Sequence, residues 1–352
     1  MKRFVRLTLI FVFPIIVFFL PYIIGDPFMI LRSYKVYYPP KGTPLWINNN
    51  RGFVSTQMYR QYKDDYHWDS FIFGSSRTGN YRVSDWKKYL PKGSACFHFD
   101  GYGESLYNIY KRLNYVDGRS PLNHVIICID DMVLSQASPD YGHLWCTPPV
   151  LENGHNWTDW HLSFLKAYTN PDFLRAYLDF SLTHQVKPYM VETGVIDTVP
   201  RGDYDITSNE AIPTPYMLFP EYDTDYFTPK IIAQFNEIQK GQSCFKPIIK
   251  QKQIDLLSKI HEILEHNHTN YKIIINPTLE QKKLAQCDMD ILDSIFGNHL
   301  YDFSGKNKFT EDYHHFLDPV HYSPQVASEI MRIIYINDKE KQQAAFDSIF
   351  SL

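Results

Sequence analysis

The sequence is short of basic residues, of patterned cysteines and of repeats. Lysine and arginine total 35 against 39 aspartates and glutamates, a formal net charge of -4, so no basic excess points to nucleic acid or another polyanion as partner. The five cysteines, Cys96, Cys128, Cys146, Cys244 and Cys287, stand far apart without a Cys-x-x-Cys spacing. That pattern argues against a thiolate zinc site and gives no disulfide framework. Cys96 and Cys128 fall in expected core strands and read as buried thiols. No internal repeat and no low-complexity segment is present, so the chain does not read as an array of modules.

Apolar and aromatic residues are plentiful. Over 352 residues the chain is 44% hydrophobic, enough for a large core, and its 26 tyrosines and 24 phenylalanines suggest ring-lined grooves as well. Lys2, Arg3 and Arg6 precede an uncharged apolar run from Leu7 to Ile24, close to the roughly 20 residues a membrane-spanning helix needs. The end of that run and its exit, Pro21-Tyr22-Ile23-Ile24-Gly25-Asp26, has no small-x-small cleavage pattern. Residues 1–26 are therefore expected to form an uncleaved, single-pass signal anchor with its basic end cytoplasmic. The body would then lie outside the cytoplasmic membrane, periplasmic or at the cell surface. Residues 27–68, rich in Tyr, Pro and Asn, read as a juxtamembrane tether, and 69–352 as the main domain.

The chemistry concentrates in two stretches. Phe71-Ile72-Phe73-Gly74-Ser75-Ser76-Arg77-Thr78-Gly79 is an apolar run that breaks at glycine into small hydroxyl residues. It describes a buried strand delivering a serine at its C-terminal end, where open α/β sheets place their ligands. Near the other end of the chain, Asp318-Pro319-Val320-His321-Tyr322 precedes a helix. A serine nucleophile needs a base, and the base needs an acceptor to orient it; His321 and Asp318 supply both types. Strands are expected at 95–99, 125–129, 271–275 and 299–303, with helices between them. A stretch of about 135–250 exceeds what such a domain needs; its aromatic rings, with scattered Asp, Asn and His, suit either a glycan or a protein partner.

These blocks resemble those of the SGNH, or GDSL-like, hydrolase superfamily, and within it the membrane-anchored branch that includes the teichoic-acid D-alanyl transfer protein and alginate O-acetylation proteins. The resemblance implies a three-layer α/β/α, flavodoxin-like domain with a mainly parallel sheet, no cofactor, and a triad of Ser76, His321 and Asp318. It also implies an oxyanion hole from the backbone N–H groups of Ser76 and Gly103. The sequence departs from the family where an asparagine normally follows the third strand, since Asp130-Asp131 stands there. An ionised aspartate cannot donate to an oxyanion. Arg77 is a candidate for binding substrate phosphate or carboxylate, with an ion pair to Asp130 or Asp131 as the alternative. His314, His315, Asp318 and His321 match zinc by ligand type, but Pro319 interrupts the helix such sites use, and no metal is expected.

The function expected is that of an extracytoplasmic serine esterase or O-acyltransferase. Its substrates would be O-acyl groups of a cell-envelope polysaccharide or related polymer, with a membrane-bound O-acyltransferase as a further partner. The alternative is a catalytically inactive module that binds glycan or docks on such an acyltransferase.

Overall fold

The computed structural model describes residues 2–38, 46–192, 196–197, 204–211, 227–238 and 244–351. Its centre is a sheet of β1 (Ser70–Gly74), β2 (Cys96–Asp100), β3 (His124–Ile129), β4 (Asn270–Ile275) and β5 (Leu300–Asp302). The strands lie in the order β2-β1-β3-β4-β5, and every pairing is parallel. Uninterrupted apolar runs such as Phe71-Ile72-Phe73 and Val125 to Ile129 make such strands because helices cover both faces of a parallel sheet.

The helices that matter below are α1 (Lys2–Gly25), α2 (Arg51–Tyr66), α3 (Leu106–Val116), α4 (Asp131–Ser135), α5 (Trp157–Tyr168), α6 (Pro171–Thr183), α7 (Gln251–His266), α8 (Gln286–Phe296), α9 (Pro324–Ile334) and α10 (Lys339–Phe350). Alternation along the strands sorts side chains into two cores. Phe71, Phe73, Phe97, Phe99, Ile127 and Ile273 meet α2, α3, α5, α7 and α8 on one side. Ile72, Cys96, Ile126, Cys128 and Ile274 meet α9 and α10 on the other. Cys96 and Cys128 are buried free thiols on their strands. Helix α9 illustrates the local logic: Ser323 caps it, Pro324 occupies its first turn, and Val326, Ala327, Ile330, Met331 and Ile334 form its buried stripe.

The stretch expected to be a tether differs from Arg51 onward. Asn48 to Asn50 and Gly52 read as turn residues, but Asn50 is an N-cap whose side chain accepts from the Phe53 N–H. The helix it starts buries Met58 and Tyr59 completely against the sheet. The long insertion is likewise joined to the body. The Ser208 carbonyl accepts from His98 N–H at 2.8 Å, and the Asn108 amide side chain bonds the Trp145 carbonyl at 3.3 Å. Helix α1 covers the apolar run, though some side chains of the expected span lie outside those described. Among the described residues no helix is long and apolar enough to cross a membrane.

Candidate active site

Strand β1 ends at Gly74 with φ of 152°. A Cβ there would stand 2.4 Å from Thr78 Cγ2 and 3.0 Å from the Cys128 carbonyl oxygen, so the turn requires glycine. The chain then enters a short 3-10 turn, Ser76–Asn80, which leaves Ser76 at the C-terminal edge of the sheet. Because β1 sits between β2 and β3, that edge is the point where the strand order reverses and a crevice opens.

The base arrives from the far end of the chain. Phe316 and Tyr322 form an antiparallel bridge, closing a loop in which the Leu317 N–H donates to the His321 carbonyl at 2.8 Å. Inside it, Asp318 Oδ1 accepts from the N–H groups of Val320 and His321 at 2.7 and 2.9 Å. Asp318 Oδ2 takes His321 Nδ1 at 2.7 Å, and His321 Nε2 stands 2.8 Å from Ser76 Oγ. A carboxylate only accepts, so Nδ1 carries the ring proton and Nε2 presents its lone pair to the serine hydroxyl. Burial works to raise the Asp318 pKa. The His321 hydrogen bond and charge, with the two loop amides, outweigh it and hold the carboxyl below its ordinary value. The three residues expected as a triad are thus brought together.

Gly103 lies in the turn between β2 and α3 with φ of 54°. The turn is fixed by the buried ion pair of Glu104 with Arg112 and by Ser105, whose Oγ accepts from Asn108 N–H at 3.2 Å. Ser76, Gly103, Glu104, Met132, Gln136 and Val320 line one cavity of about 90 Å³. Among the described residues, neither the Ser76 nor the Gly103 backbone N–H donates to a protein acceptor. Two unused donors beside a serine and its base are what a developing oxyanion requires. A second cavity, beside Arg51, Tyr38 and Tyr204, is about 20 Å³ and has room for roughly one water.

Asp130 is not aimed at the serine's substrate side. Its Oδ1 caps α4 by accepting from Val133 N–H at 3.0 Å. Its Oδ2 accepts from Arg77 Nη1 at 2.5 Å and from Asn276 Nδ2 at 3.2 Å. Arg77, a candidate substrate contact with an ion pair as the alternative, makes that ion pair here. It lines the cavity, but its charge is matched by Asp130, because a carboxylate only 2% exposed must be paired where it is buried. Burial lowers the Arg77 pKa, and the Asp130 charge and hydrogen bond more than reverse that. Arg77 Nε also donates to the Val320 carbonyl at 2.9 Å.

Three further residues join this arrangement without having been singled out by sequence. Asn80 Nδ2 donates to the Tyr322 carbonyl at 2.7 Å, and the Tyr322 hydroxyl donates to Asn276 Oδ1 at 2.9 Å. The available signal was position: Asn276 follows β4 directly, at the same edge as Ser76 and Asp130. His314 Nδ1 pairs with Asp312 at 2.6 Å and His315 Nδ1 with the Phe309 carbonyl at 3.1 Å. Among the described residues there is no group of three or more His, Cys, Asp or Glu placed to hold a metal ion.

Compared with known proteins, the chain matches no family model and no curated protein.

Proposed function

We propose that this protein is an SGNH-type serine esterase or O-acyltransferase with a flavodoxin-like α/β/α body, acting on O-acyl groups of an extracytoplasmic polysaccharide or related envelope polymer. The observation that carries the reading is the run of contacts from Ser76 Oγ to His321 Nε2 at 2.8 Å and from His321 Nδ1 to Asp318 at 2.7 Å. In the first half-reaction Ser76 Oγ attacks the ester carbonyl while His321 Nε2 takes its proton, and the Ser76 and Gly103 N–H groups receive the oxyanion. Collapse breaks the ester bond, and His321 returns the proton to the departing alcohol. In the second, water or a sugar hydroxyl attacks the acyl-serine with His321 again as base.

Membrane attachment through α1 is part of this proposal. Phe4, Phe13, Ile16, Leu20, Ile23 and Ile24 of that helix are exposed, an arrangement suited to lipid contact. A membrane-bound O-acyltransferase is the partner that would supply acyl groups on this reading. Fractionation with membranes after high-salt washing is expected; recovery in the soluble fraction would remove the anchor.

A fluorophosphonate probe tests the chemistry. The folded protein should be labelled, and Ser76→Ala should abolish labelling. The absent third-block asparagine favours a second reading, an inactive glycan-binding or acyltransferase-docking module, which unlabelled folded protein would support.

A further inference from the structure

The base of the proposed triad is carried by a loop, not by a strand or helix, and its side chains are partly open to solvent: 29% for His321 and 48% for Asp318. Such a loop must be held from outside if His321 is to stay within hydrogen-bonding distance of Ser76. Two side chains from the serine's own 3-10 turn do this. Arg77 Nε takes the carbonyl before His321, that of Val320, at 2.9 Å, and Asn80 Nδ2 takes the carbonyl after it, from Tyr322, at 2.7 Å.

Behind these two contacts the ring closes through the sheet. Arg77 Nη1 bonds Asp130, Asp130 bonds the Asn276 amide, and Asn276 accepts the Tyr322 hydroxyl. Every side chain in the ring is buried: Tyr322 is 0% exposed, Asn276 1%, Asp130 2%, Asn80 6% and Arg77 7%. Hydrogen bonds in such surroundings are strong and rigid because no water competes for them. The ring joins the ends of β1, β3 and β4 to the histidine loop.

We propose that Arg77 and Asn80, backed by Asp130, Asn276 and Tyr322, are positioning residues that set the His321 Nε2 to Ser76 Oγ distance. Asp130 thereby has a role at the place where an oxyanion-donating asparagine was expected: it fixes Arg77 and never meets substrate. The inference rests on Ser76 being the nucleophile. A flexible ammonium cannot reproduce the rigid arginine fork, so lysine at position 77 keeps the charge but should not hold Asp130 and the Val320 carbonyl in the same geometry.

The experiment is the rate of Ser76 labelling by fluorophosphonate, with kcat and KM on a p-nitrophenyl acyl ester, for wild type, Arg77→Lys, Asn80→Ala and Arg77→Ala. Folding is checked by circular dichroism. A misplacement near 1 Å costs on the order of 100-fold, so Arg77→Lys should lose about that in labelling rate and kcat with KM little changed. Millimolar ethylguanidinium should restore part of the lost rate to Arg77→Ala and none to Asn80→Ala. If wild type labels but folded Arg77→Lys and Asn80→Ala label at its rate, the positioning role is wrong while the nucleophile stands. A raised KM with kcat unchanged would also overturn it, since that marks a lost substrate contact. Should Arg77→Ala fail to fold, Arg77→Lys and Asn80→Ala decide. Absence of labelling in folded wild type would instead remove the nucleophile reading itself.

Discussion

Gly103 lies so close to the indole of Trp145 that a Cβ on residue 103 would stand 2.7 Å from the ring nitrogen. The insertion therefore roofs the turn that would offer an oxyanion donor on the proposed function, and residue 103 is confined both by its left-handed torsion and by a neighbouring ring. Gly103→Ala should lower kcat by on the order of 100- to 1,000-fold, the usual loss of one oxyanion donor. Trp145→Ala in the same chain separates the causes. Recovery of rate in the double variant assigns the loss to the clash, and no recovery assigns it to the torsion at φ of 54°.

The triad members should contribute unequally. His321→Ala removes the base and should cost on the order of 10⁶ in kcat, whereas Asp318→Asn should cost on the order of 10⁴. The reason is local. Asparagine's oxygen can still accept from the Val320 and His321 amides, so the loop survives. Its amide then faces Nδ1 and forces the proton to Nε2, the wrong tautomer for a base. Steady-state kinetics of the two variants checks the order; equal losses would mean that the asparagine fails to hold the loop as well as the ring.

Much of the sheet was legible because its strands are unbroken apolar runs ended by Gly74, Asp130 and Asn276, and the same edges pointed to Ser76. The Asp318-x-x-His321 spacing was legible because the acceptor for the histidine ring lies three residues before it in the same loop. The helix at Arg51–Tyr66 was not, since its N-cap, Asn50, sits in a cluster that reads as turn. The contribution of Arg77 was open for a different reason. Whether a guanidinium faces substrate or a buried carboxylate depends on how β1 and β3 register, and here Phe73 pairs with Ile127, which brings the Asp130 carboxylate to Arg77.

Asn209 should be a stability residue although it lies in the insertion. It is 0% exposed with φ of 58°, a torsion asparagine tolerates better than most residues. Its amide donates to the His98 carbonyl at 2.5 Å, its own carbonyl accepts from Arg51 Nη2 at 2.7 Å, and its Oδ1 accepts from the Tyr38 hydroxyl. Asn209→Ala leaves the buried His98 carbonyl and the Tyr38 hydroxyl without these partners, at about 1–3 kcal/mol each in unmet desolvation. Urea unfolding should show the loss as a lower midpoint at unchanged slope. A variant as stable as wild type would mean the insertion is only laid over the sheet edge. By the same argument excision of residues 135–250 should yield an unfolded chain.

The acid limit of stability should carry a contribution from Asp318. Its carboxyl is held below the ordinary value, so the folded state binds its proton less readily than the unfolded chain. Such a group stabilises fully above the unfolded carboxylate pKa of about 3.9 and loses that contribution as pH falls through the lower folded value. With its side chain 48% exposed, solvent screens part of the effect, and the contribution should be small. Asp318→Asn removes this titration while leaving the other carboxylates in place. The stability gap between wild type and Asp318→Asn should therefore be constant above about pH 5 and close below about pH 3.9. Urea midpoints at a series of pH values measure it. A gap that persists at the lowest pH would show that the loss in Asp318→Asn does not come from the carboxylate charge beside His321.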